Sequence, residues 1–169
     1  MKRKLSKIIG GLALAFLVIA ATGLGLVSAQ EGPKGQNGGG KSGRLEGTWE
    51  VQVTIRVCQT GAAITTFSSI GTFMSGGTML DSTSGIPQAL KTPGQGVWSH
   101  ISGNRFRFKF KSFSFDASGN PTGWTIINHE ADLDSRGDEY ESAGTAEVYA
   151  PNGVLAFTGC STTTATRFE

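Results

Sequence analysis

Two histidines, a cluster of carboxylates, two cysteines and one glycine-rich run carry the side chains best suited to chemistry in this chain. His129 stands in IINHEADLD with Ile127, Ala131 and Leu133 at alternate positions, so on a strand it shares their inward face. An imidazole there could donate a proton, ligate a haem iron or orient a ligand; a hydrogen-bonded core histidine is the plainer reading. His100 alternates outward beside Trp98 and reads as ordinary surface. The acids Asp132, Asp134, Asp138, Glu139 and Glu141 crowd DLDSRGDEYE in imitation of a calcium loop. Arg136 occupies a ligand position and Ala143 stands where a bidentate glutamate belongs, which argues against calcium. The tripeptide Arg136-Gly137-Asp138 has an adhesion spelling and reads as a hairpin turn. Gly35 to Ser42, GQNGGGKS, matches a phosphate-loop pattern, and GGGKSG a dinucleotide fingerprint. Both need a strand before and a helix after, whose N-terminus holds the phosphate; here a signal-like segment precedes and a strand follows. With no zinc helix motif, nucleophile elbow or cysteine–histidine pair, no metal or cofactor is expected.

The N-terminal segment has its own purpose. MKRKLSK, then IIGGLALAFLVIAATGLGLV, then SAQ read as the basic, apolar and small-residue parts of a signal peptide over residues 1–29, cut after Ala29. A retained membrane anchor is the alternative, because the apolar run approaches the length that spans a bilayer. No cysteine sits at the cut, which argues against a lipoprotein. Of fifteen basic residues, Lys2, Arg3, Lys4 and Lys7 lie in this segment, leaving eleven against thirteen acids. The remaining protein has no bulk electrostatic reason to seek nucleic acid or an anionic membrane. Export to a secreted or periplasmic location places Cys58 and Cys160 where a disulfide is favoured over a metal site or a reactive thiol. Residues 30–46 predict a flexible glycine-rich leader, and 47–169 one domain with one core.

From Gly47 the apolar period is two, which predicts strands at about 48–58, 63–75, 78–83, 96–102, 105–115, 123–134, 139–150 and 154–168. Glycine-bearing turns separate most of them, and no segment has helical periodicity. Eight antiparallel strands in sequence order imply an all-β, up-and-down barrel closed by its first and last strands, since closure removes exposed edges. In TWEVQVTIRVC, Trp49, Val51, Val53, Ile55 and Val57 share one face, and in RFRFKFKSFSF, Phe106, Phe108 and Phe110 point inward. Pivoting about 116–123 sets Lys109 opposite Glu130, Arg107 opposite Asp132 and Arg105 opposite Asp134 on the outer face. The cationic stripe then faces carboxylates rather than nucleic acid. Phe113 and Phe115 break the phase, implying a bulge near Lys111 or Ser112, or packing outside the barrel.

Gly47-Thr48-Trp49 at the start and Ala165 to Phe168 at the end resemble the calycins, the superfamily of lipocalins and related small ligand-carrying barrels. In that superfamily a tryptophan from a G-x-W start packs beneath the barrel against an arginine from the end of the domain; the resemblance assigns these roles to Trp49 and Arg167. The same antiparallel register brings Cys58 and Cys160 nearly opposite, so their disulfide would staple the seam, and Arg167 over the Trp49 indole makes a cation–π contact. The inward set Phe106, Phe108, Phe110, Ile127, His129, Leu133, Tyr140 and Gly144 is expected to wall a cavity, with space left by Ser142, Gly144, Ala146, Gly159, Ser161 and Thr163. The connection Thr83 to Gly96 is either a lid over one mouth or a plug completing the core. The function these features predict is binding of a small, mainly apolar molecule without transforming it. Two other classes stay open: an isomerase or cyclase barrel of the allene oxide cyclase and dirigent kind, and a solid-core interaction module presenting an outward Trp98 or a displaced Phe113 or Phe115.

Overall fold

Every segment of period-two alternation becomes a strand, with boundaries within two residues of expectation: β1 Gly47–Arg56, β2 Ala63–Phe73, β3 Thr78–Thr83, β4 Gly94–Ser102, β5 Arg105–Phe115, β6 Pro121–Leu133, β7 Glu139–Tyr149 and β8 Leu155–Arg167. A computed structural model describes residues 42–168. The expected signal peptide, residues 1–29, and residues 30–41 of the expected leader lie outside the described residues; residues 42–46, expected in the leader, belong to the base of the barrel. Each strand pairs antiparallel with the next, and β1 pairs with β8 to close the barrel. The strands are strongly tilted: partners followed from Thr72 at the far end of β2 run through Leu80, Gln95, Lys111, Ile126 and Glu147 to Thr158, at the opposite end of β8.

One end is sealed. A 3-10 turn, Ser42–Leu45, crosses beneath the barrel, and Leu45 and Trp49 are both 0% exposed. The Trp49 indole N–H donates to the Leu45 carbonyl at 3.0 Å, so the buried ring keeps its one polar group paired. Arg167, opposite Trp49 in the register, sets its guanidinium carbon 4.3 Å from the indole centroid. Its N–H groups donate to the carbonyls of Arg44, Glu46 and Gly137 at 2.7–2.8 Å. The charge is thereby hydrogen-bonded on three sides while it closes the seam. Gly47 is required here: its φ is +125°, and a Cβ would stand 2.7 Å from the Arg167 guanidinium. Above this plug pack Phe73, Trp98, Phe106, Phe108, Leu133 and Tyr140, with edge-on contacts such as Trp49–Tyr140 at 4.9 Å and Phe73–Phe108 at 5.5 Å between centroids.

At the other end, Cys58, in the turn after β1, is bonded to Cys160 of β8, with Cα atoms 5.2 Å apart. The seam is thus held by Arg167 below and by a covalent bond above.

Three local expectations need correction. The β5–β6 register is displaced by two residues, pairing Arg105 with Asp132, Arg107 with Glu130 and Lys109 with Asn128. The cause is the turn: Asp116 accepts the Ser118 and Asn120 amides at 2.8 and 2.9 Å, which tightens it, and a bulge at Ser114/Phe115 absorbs Thr122. A two-residue slip preserves the faces, so Arg105 still bridges Glu130 and Asp132, whereas Arg107 turns to Ser99 at 3.0 Å. The bulge lies beyond Lys111 and Ser112: alternation continues through buried Ser112, and Phe113 stands outside, 50% exposed, with the Lys111 ammonium over its ring. Trp98 and His100 face inward, opposite Phe108 and Phe106. Trp98 is buried with its indole N–H on the Met74 carbonyl at 2.9 Å, and His100 packs 5.1 Å from the Phe106 ring.

Candidate functional site: the barrel interior

The inner wall changes character along its length. Near the plug it is filled: Phe106, Phe108, Phe110, Leu133 and Tyr140 of the expected cavity wall are buried in the core cluster, and His129 is buried beside Phe108. Towards the other end, the inner face carries Thr65, Ser112 and Thr125 among apolar residues that lose their cover. Val53, Ile55, Phe67, Ile127, Ala146 and Val148 are only half-buried, and Phe157 of β8 is 62% exposed. Gly144 leaves no space of its own, since a Cβ there would stand 2.0 Å from the Asn128 carbonyl oxygen and 2.5 Å from the His129 ring. Its missing side chain lets the His129 ring lie flat against β7.

Between the filled and open halves runs a polar layer. His129, 2% exposed, sits with Nδ1 2.8 Å from Ser142 Oγ and Nε2 2.9 Å from Ser161 Oγ, and Ser142 Oγ meets Thr163 Oγ1 at 2.6 Å. Burial pushes the imidazole down to a pKa of about 4, so the ring is neutral at physiological pH. The expected core histidine is therefore present with both nitrogens engaged, and its partners are hydroxyls that alternation had marked only as small.

A second polar group was missed. Asp81 of β3 points inward between Gly71 and Gly94, its neighbours on β2 and β4. Ser69 donates to its carboxylate at 2.7 Å, and the Lys91 ammonium lies 3.6 Å away with little exposure on either side chain. Burial raises the Asp81 pKa against the opposing pull of Ser69 and Lys91. Burial, with the Asp81 charge behind it, also holds the Tyr140 phenol well above its ordinary range. The two flanking glycines were the available signal, because they leave room for an inward carboxylate.

Lys91 comes from the connection between β3 and β4, which lies along the wall. Thr92 exchanges hydrogen bonds with Phe113 at 3.0 Å in both directions, Lys91 bridges to Ser114, and Gly85 abuts the Phe67 ring. The segment is a strap that fills the gap left by the short β3. Elsewhere, Asp134 spends its carboxylate on the amides of Arg136, Gly137, Asp138 and Glu139 at 2.7–3.1 Å, which explains the acid-rich hairpin as a turn built around one side chain. On the outside, a shallow groove of about 590 Å³ crosses β5 to β8 and β1 between Arg56, Arg105, Glu141 and Thr162.

The closed eight-stranded meander, with Trp49 and Arg167 at its base, defines a small antiparallel barrel compatible with calycin architecture. No family model and no characterised protein matches the chain. Function must therefore be argued from the interior itself.

Proposed function

We propose that the chain is an exported barrel that holds a small, mainly apolar molecule in the open half of its interior and does not transform it. One observation carries the reading: apolar side chains continue along the inner face beyond the packed core, ending in Phe157 at 62% exposure. A folded chain gains nothing by leaving such a wall wet, whereas a guest would recover roughly 1.5–3 kcal/mol for each large side chain it covers fully. The disulfide and the leader suit an oxidising compartment. Diphenylhexatriene, a hydrocarbon dye, should bind with about one-to-one stoichiometry and brighten. Val148→Glu should abolish this while circular dichroism and thermal unfolding report an intact barrel; a wild-type protein that leaves the dye dark would refute the reading.

A second reading, an isomerase or cyclase acting on an apolar substrate, draws on Asp81, whose raised pKa and buried Lys91 partner suit proton transfer. Mass spectrometry of a host small-molecule extract incubated with protein distinguishes the two. Consumption of one species, lost in Asp81→Asn, would favour the enzyme.

A further inference from the structure

We infer that the preferred guest carries a hydrogen-bond acceptor, such as a ketone, aldehyde or ester oxygen, which is received by the Ser161 hydroxyl. The inference rests on the proposed interior ligand and adds the one polar feature that ligand should have. It comes from counting hydrogens in the buried relay. A neutral imidazole has one N–H and one lone pair, and each hydroxyl has one hydrogen to give. Thr163, Ser142, His129 and Ser161 thus hold four donatable hydrogens for three contacts. Three arrangements make all three bonds. With Nδ1 protonated, Ser161 donates to Nε2 and His129 to Ser142, and the Ser142–Thr163 bond can run either way, leaving the Thr163 or the Ser142 hydrogen unspent. With Nε2 protonated, His129 donates to Ser161, Ser142 to Nδ1 and Thr163 to Ser142, and only then is the Ser161 hydrogen left.

The two ends of the relay differ in what can reach them. Thr163 lies on the plug side, paired with Val53 and Ser142, with Ala165 next on its inner face. Ser161 lies on the open side, paired with Ile55 and Gly144, and the next inner position along β8 is Gly159, which has no side chain to block it. Above it the Phe157 ring reaches to 3.0 Å from where a Gly159 Cβ would stand. Ser161 is 4% exposed, and the Phe157 ring that stands over Gly159 is itself 62% exposed, so its rotation would open the approach to Ser161 past Gly159. An acceptor arriving there takes the unspent hydrogen and selects the Nε2–H arrangement; a pure hydrocarbon does neither.

The test uses two probes of similar bulk. Diphenylhexatriene has no polar atom, and 6-propionyl-2-dimethylaminonaphthalene has a ketone whose emission shifts to the red when hydrogen-bonded. Ser161→Ala should weaken the ketone probe by roughly 5- to 10-fold and shift its bound emission to the blue, leaving diphenylhexatriene unchanged. Thr163→Val, which leaves the Ser142 hydrogen without an acceptor in the relay whenever Nδ1 is protonated, should keep or strengthen ketone binding. Independently of any variant, the ¹⁵N shifts of His129 should move towards the Nε2–H tautomer when the ketone probe is added. An equal effect of Ser161→Ala on both probes, or a tautomer indifferent to the ketone, overturns the inference with the cavity reading intact. Failure of both probes to bind wild-type protein overturns both.

Discussion

The two ends of this barrel are built from similar residues and used differently. At the sealed end, every large apolar side chain is covered and every polar group on it is paired: Leu45 and Trp49 vanish from solvent, and Arg167 satisfies three carbonyls. At the open end, Ile55, Phe67, Val148 and Phe157 continue the same inward phase, the first three only half-buried and Phe157 62% exposed. Burial depends on what crosses the end of the barrel. Below, the turn preceding β1 supplies a plug; above, the strap fills the wall between β2 and β5, where it meets Ser68 and Phe113.

Substitution offers the sharpest way to break the contrast. Trp49→Ala should cost about 3–5 kcal/mol, whereas Phe157→Ala, the same kind of truncation, should cost less than about 0.5 kcal/mol. Urea denaturation of both variants measures the difference, and similar losses would mean that the two ends are equally packed. Acid tests the boundary between them. The His129 pKa is lowered from 6.5 to about 4 in the fold, so its contribution is fully present above pH 6.5 and lost as pH falls through about 4. That loss should approach about 3 kcal/mol. Asp81 acts in the opposite sense: its pKa is raised, so its contribution is fully present below the ordinary carboxylate value and declines as pH rises through the folded one. Comparing wild type with His129→Gln at pH 7 and pH 4 isolates the imidazole. Equal acid sensitivity in both would show that His129 titrates normally. The smallest effect belongs to the outer wall, where Arg105 with Glu130 and Asp132 is exposed: Arg105→Gln should cost below about 1 kcal/mol and fade in high salt. A larger loss would assign the outer ladder a part in closure.

Strand positions and closure were legible because a period of two and glycine turns are local signals, whereas Trp49 opposite Arg167 was implied by the calycin resemblance and is the pairing observed. The β5–β6 register was not, because a bulge and an aspartate-tightened turn move the pivot without altering the alternation. Trp98 was set on the wrong face because Val97, Trp98 and Ile101 put apolar residues on both phases of β4. Within the site, the position of His129 could be read from its own strand. Its hydroxyl partners on β7 and β8, and the Asp81–Lys91 pair, depend on how separate segments meet.

The bond between Cys58 and Cys160 also makes the chain from one to the other a covalent ring, a separation of 102 residues that holds β2 to β7, the strap and the start of β8. A protease that cuts once inside that ring, for instance at the exposed Gly85 or Ile86 of the strap, releases no fragment. The product is the same barrel with a second chain break at the β3–β4 crossing, and its two pieces stay joined until the disulfide is reduced.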